Sequence, residues 1–199
     1  MQLEFRVLEL LASRLCHELI SPVGAVNNGV ELLGDGDAGF VRDATTLIGQ
    51  SARRAALRLQ FYRFAYGAGG VGGGAPEAKA LVAGILEGGK VRCDWPAEFD
   101  ALSVSWQKFA CNLMLLAVEI LPRGGTVTLA REGSGVAAVA AGEAVNLTQE
   151  LKAALAPAAE VAALTARTVH AYFTARYAEH VGTKLMLSEA DKSAMFAAN

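Results

Sequence analysis

Two long apolar stripes separated by a short glycine- and aspartate-rich turn constrain this chain more than any other feature of its sequence. In the first stripe Leu8, Leu11, Leu15, Leu19, Val23, Val26, Val30 and Leu33 recur at steps of three and four residues. That period matches one face of an α-helix and predicts a helix over about 2–33. In the second, Val41, Ala44, Leu47, Ile48, Ser51, Ala55, Leu59 and Tyr62 mark one face, and Leu57, Phe61 and Phe64 mark another. They predict a helix over about 40–66. Between them Gly34-Asp35-Gly36-Asp37-Ala38-Gly39 reads as a turn, so the two helices form an antiparallel hairpin. Pro22 falls inside the first stripe. The stripe runs through it, which predicts a kink near Glu18 rather than a break into two helices. Two helices pressed together hide only part of such broad stripes. A second copy would cover the rest as a dimeric four-helix bundle; a C-terminal domain folded back on the hairpin is the alternative cover.

Six of the ten residues in 67–76 are glycine, a composition that holds neither helix nor strand. It divides the chain into a hairpin domain (1–66), a linker (67–76) and a second domain (77–199). The second domain alternates between the two periods. Helices are expected over 77–86, 105–121, 148–155 (with Thr148 as cap) and from Pro157 or Ala158 to His180. Strands are expected over 90–95, 126–131, 136–141, 184–188 and 193–197. The result is an α+β fold with helices on one face of a sheet.

Net charge is −2 over 199 residues, so no basic surplus points to nucleic acid. Three scattered cysteines, Cys16, Cys93 and Cys111, fit a reducing compartment better than a disulfide framework. The opening MQLEFRVLEL interrupts its apolar run with acids and does not read as a signal peptide. No apolar run reaches the ~18 residues of a membrane span. A cytoplasmic protein is expected.

Cys16-His17-Glu18-Leu19-Ile20-Ser21-Pro22 places an acid directly after a histidine and a proline five residues beyond it. This resembles the phospho-acceptor box of sensor histidine kinases, H-E-L-x-x-P. Asn112-Leu113-Met114-Leu115-Leu116-Ala117, followed by Gly124-Gly125-Thr126-Val127, is similar to the N-box region of their ATP-binding domains. Three ATP contacts of that domain are missing. The second N-box asparagine, a Mg²⁺ ligand in kinases, is Leu116, which has no lone pair for a hard cation. The D-x-G-x-G motif is replaced by Val139-Ala140-Ala141-Gly142-Glu143-Ala144. The glycine loop before the last long helix is replaced by Val161-Ala162-Ala163-Leu164-Thr165. An acceptor box, a glycine linker and a degenerate kinase-ATPase-like α/β sandwich domain together resemble the ChpT-type histidine phosphotransferases of alphaproteobacteria. The resemblance implies a homodimer that relays a phosphoryl group between the receiver domain of a hybrid histidine kinase and response regulators. It implies no ATP binding and no intrinsic cofactor or metal, with Mg²⁺ brought by the receiver.

His17 is then the phospho-acceptor, since a neutral imidazole is a competent nucleophile toward an aspartyl phosphate. Glu18 would orient it or touch the regulator. Arg14 and Ser21 share its helix face and would contact the phosphoryl group. Arg54 and Arg58, on the facing helix, would meet the acidic rim of a receiver. Asn112 reads as a relic polar residue, and His170 and His180 as structural or surface residues. Two other classes remain open: an ATP-dependent kinase, and a non-catalytic module that binds regulators without using His17.

Overall fold

The structure, a computed structural model, describes residues 4–35, 38–67 and 77–198. Residues 36 and 37 of the expected turn and 68–76 of the expected linker lie outside these. Phe5–Leu32 forms α1 and Ala38–Tyr66 forms α2. The helix α1 is continuous through Pro22, as its unbroken stripe requires. The two helices pack antiparallel. Glu18 meets Arg58 across the hairpin, and Gly29 meets Ala44 and Ile48. A Cβ at Gly29 would stand 2.6 Å from Ile48 Cγ1 and 3.3 Å from the Ala44 carbonyl. Gly29, with buried Ala44 and Ser51, therefore sets how closely the helices approach. The hairpin's inner end buries Val7, Leu11, Phe61, Tyr62 and Phe64, whereas Leu8, Val23, Val30, Phe40 and Leu59 remain half or more exposed.

The second domain contains α3 (Ala78–Leu86), β1 (Val91–Asp94), α4 (Val104–Glu119), β2 (Gly125–Glu132) and β3 (Gly135–Ala141). It continues with α5 (Gln149–Leu155), α6 (Val169–His180), β4 (Met186–Ala190) and β5 (Ser193–Ala198). The sheet order is β1-β2-β3-β5-β4, with β1 and β2 parallel and every other pair antiparallel. Parallel pairing of β1 with β2 needs a crossover, which α4 supplies. Its Phe109, Leu113, Met114 and Leu116 are fully buried, between the sheet and α6. Thr148 caps α5 as expected, its hydroxyl accepting from the Leu151 N–H.

The expected helix from Pro157 to His180 is shorter than its alanine-rich sequence suggests. Only Val169–His180 is α-helical; Val161–Ala163 is one 3₁₀ turn. Local polar groups take over the backbone there. The Thr165 hydroxyl accepts from the Arg167 and Thr168 N–H groups, and the Thr168 hydroxyl accepts from the Thr165 N–H. Arg176 donates to the Ala156 and Pro157 carbonyls, and Arg6 of α1 donates to those of Val161 and Leu164.

The Arg6 bonds belong to a broader joint between the hairpin and the second domain. Arg14 of α1 is buried, and its guanidinium pairs with Glu119 at the end of α4. Burial pushes the Glu119 carboxyl up to about 7, and the charge of Arg14 beside it works the other way. Tyr66, the last residue of α2, lies 2.8 Å from His170 Nδ1, and His170 Nε2 lies 3.2 Å from the Asn112 carbonyl. Nε2–H must donate to that carbonyl, and Nδ1 of the neutral ring accepts from the phenol. Burial, together with the charge of Arg14, lowers the His170 pKa well below its ordinary 6.5. Asn112 is no relic. Its amide donates to the Ala65 carbonyl at 3.1 Å, and Lys108 donates to the Gly67 carbonyl at 2.7 Å. Together they satisfy carbonyls at the C-terminal end of α2 that have no partner within the helix.

Removing Glu119 strands a buried guanidinium. Glu119→Ala is expected to lower stability by about 3 kcal/mol, and Arg14→Met in the same chain to recover most of it, read as midpoints in urea. For His170 the folded pKa lies below the unfolded one, so below pH 6.5 the unfolded chain takes up a proton that the folded chain refuses. Its stabilising contribution is complete above that pH and falls as pH drops. Relative to His170→Gln, the protein is expected to lose up to about 1.4 kcal/mol per pH unit below 6.5, measured by urea melts between pH 7 and 5.

Candidate functional site

His17 sits midway along α1 with its side chain exposed, flanked on the same helix by exposed Ser13, Cys16 and Ser21. Arg14, one turn before it, is buried. Residues three apart lie roughly 60° around the helix from one another, so His17 stands at the exposed edge of the face whose buried side plants Arg14 against Glu119. The structure therefore brings Arg14 to the domain joint and not to the open face of His17. Glu18 is half-buried. Its carbonyl accepts from Arg58 Nη1 at 3.0 Å, and its carboxylate lies 3.9 Å from Arg58 Nε.

Pro22 is buried behind this turn. The hairpin register that sets Arg58 beside Glu18 sets Arg54, one turn earlier on α2, level with Ser21. Arg54 is exposed. With Arg58, Glu87 and the glycines 84, 88 and 89 it lines a recess of about 180 Å³ below the hairpin. Arg53 is drawn to Glu87 at 3.2 Å, but Arg54 has no carboxylate partner among the described residues. Of the site residues expected from sequence, the fold gathers His17, Glu18, Ser21, Arg54 and Arg58 at one level of the hairpin. It diverts Arg14 inward.

On the other side of Glu18 opens a cavity of about 560 Å³ between the domains, lined in part by Arg14, Glu119, Asn146, Thr165 and Arg167. Glu119 was not among the residues singled out from sequence. The signal was an acid closing an otherwise apolar helix, where the helix dipole disfavours negative charge unless a cation meets it. At the kinase-like positions, Leu116 is fully buried in the core, and the carbonyls of Val161 and Leu164 accept from Arg6. Among the described residues no three His, Cys, Asp or Glu side chains gather in a way that would hold a metal ion, and no helix is long and apolar enough to cross a membrane.

The family model for the histidine phosphotransferase C-terminal domain matches residues 75–193. The chain is 33% identical over 196 residues to the protein phosphotransferase ChpT of Brucella abortus (strain 2308), covering 95% of this chain and 93% of that one. A solved structure of a bacterial phosphotransferase superposes with a TM-score of 0.79 at 30% identity, over 100% of this chain and 98% of the other. The hairpin that carries the acceptor box and the sheet domain are both inside these matches, and the chain belongs to the ChpT-type histidine phosphotransferases.

Proposed function

We propose that His17 is the phospho-acceptor of a relay between receiver domains, loaded by a phosphorylated partner and not by ATP. The observation that carries this reading is the placement of His17. Of the three histidines, His170 is locked in the core and His180 ends α6 against the Tyr177 ring. His17 alone stands exposed inside an acceptor box, on a turn backed by Glu18, Arg58 and Pro22. An imidazole nitrogen there attacks the phosphorus of an aspartyl phosphate; the P–O bond to the carboxylate breaks and a phosphoramidate forms. Transfer onward is the same step in reverse. The transition state is loose, so alignment and charge neutralisation matter more than covalent assistance.

The charges around His17 fit a partner that supplies its own metal. Arg14 is paired with Glu119 and Arg58 with Glu18, which leaves Arg54, level with Ser21, as the cation open to the acidic rim of a receiver. Leu116 in the core, and Val161 and Leu164 tied to Arg6, support a reading without ATP. The uncovered Leu8, Val23, Val30, Phe40 and Leu59 support a second copy of this chain as the other half of a four-helix bundle. The partners are receiver domains of a hybrid kinase and of response regulators, in the cytoplasm.

His17→Ala is expected to abolish uptake of labelled phosphate from a phosphorylated receiver while His180→Ala does not, and ATP alone is expected to label neither. Control of a regulator by the His17→Ala protein would instead make this a docking module, and labelling by ATP would make it a kinase. Val30→Glu combined with Phe40→Glu is expected to convert a dimer into a monomer in sedimentation equilibrium. A monomeric wild type would remove the bundle from this reading.

A further inference from the structure

Pro22 stands four residues after Glu18. In an α-helix the carbonyl of residue 18 accepts from the N–H of residue 22, and proline has none. Its ring also presses on that carbonyl. Yet α1 runs without interruption from Phe5 to Leu32. A replacement donor is present. Arg58 Nη1 of α2 donates to the Glu18 carbonyl at 3.0 Å, and Nε of the same guanidinium lies 3.9 Å from the Glu18 carboxylate. One planar cation thus holds the main chain and the side chain of the residue next to His17.

We propose that Arg58 is a positioning residue for the phosphotransfer reaction, supplying from the second helix the hydrogen bond that Pro22 takes from the His17-bearing turn. The proline frees one carbonyl at that turn, and Arg58 fixes where the freed carbonyl points. The tilt of the adjoining turn, and with it the direction of the His17 imidazole, then depends on contact between the two helices. A lysine at 58 keeps a donor but loses the fork that reaches carbonyl and carboxylate together. In-line phosphoryl transfer tolerates little misalignment, so the effect falls on the transfer step. This inference rests on His17 as the acceptor. It differs from a role in which Arg58 touches the receiver, where loss would appear in binding.

The test is a double-mutant cycle with wild type, Pro22→Ala, Arg58→Ala and the double variant, accepting phosphate from a phosphorylated receiver. Arg58→Ala is expected to lower kcat at saturating receiver by about tenfold or more with KM nearly unchanged, and Arg58→Lys to recover part of the loss. In the Pro22→Ala background, where position 22 again offers an N–H to the Glu18 carbonyl, the same Arg58→Ala change is expected to cost less than about threefold. An equal loss in both backgrounds, or a loss in KM alone, would overturn the proposal. A second measurement needs neither activity nor Pro22→Ala. The ¹³C shift of the Glu18 carbonyl in labelled protein is expected to move in Arg58→Met, and an unmoved shift also overturns it. If instead His17→Ala still accepts phosphate, the acceptor assignment fails while the carbonyl measurement stands on its own.

Discussion

The ion pair between Arg14 and Glu119 joins the two halves of this protein, and the placement of the site depends on it. Arg14 and His17 are one helical turn apart on α1. Residues three apart share a helix face, roughly 60° apart around the axis, so His17 lies at the exposed edge of the face whose buried side carries Arg14. Domain orientation and acceptor orientation are therefore set by the same few residues. Burying two charges is costly, and an isolated pair of this kind is weak evidence for stability. Its value here is directional. A guanidinium with one carboxylate within reach admits few ways for the hairpin to sit on the sheet domain. Arg6, bonded to Val161 and Leu164, adds a second fixed point further along the same helix.

The helix that resembles a kinase N-box has become the other side of this joint. Asn112 and Lys108 spend their donors on the Ala65 and Gly67 carbonyls at the end of α2, and the Asn112 carbonyl meets His170, which in turn meets Tyr66. A Mg²⁺ site requires oxygen atoms aimed into an open cleft. Here Lys108, Asn112 and Glu119 turn to the hairpin, and Leu116 completes an apolar core. The same scaffold thus serves as a brace for the bundle.

Much of this was legible in the sequence, for a physical reason. The hairpin rests on periodicity, and α1 and α2 end within a few residues of where their stripes end. The β2–β3 and β4–β5 hairpins were marked by their turn residues. His17 was singled out because an acid and a proline at fixed offsets change the reading of a lone histidine. Contacts between distant segments were not legible. Arg14 shares a helix face with His17 on paper, but Glu119, 105 residues away, takes its charge. The stretch from Pro157 to Thr168 has the alanine content of a helix, and what unwinds it is the competition of Thr165, Thr168, Arg6 and Arg176 for its backbone. Propensity is a weak prior where side chains arrive from elsewhere.

Inward from Arg54 at the surface, the charges near His17 alternate in sign from Arg58 through Glu18 and Arg14 to Glu119. Each of these interior charges is answered inside the chain. That leaves the open face of His17 with exposed serines and, at its edge, one arginine that has no carboxylate partner among the described residues. A phosphoryl group on such a histidine meets little positive charge from its own protein, so the strongest neutralisation comes from whatever docks onto it. A carrier benefits from that arrangement. Tight intramolecular binding of the phosphoryl group would stabilise the loaded state and slow its release, whereas a bare, well-aimed imidazole lets the partner's charges set the barrier in both directions.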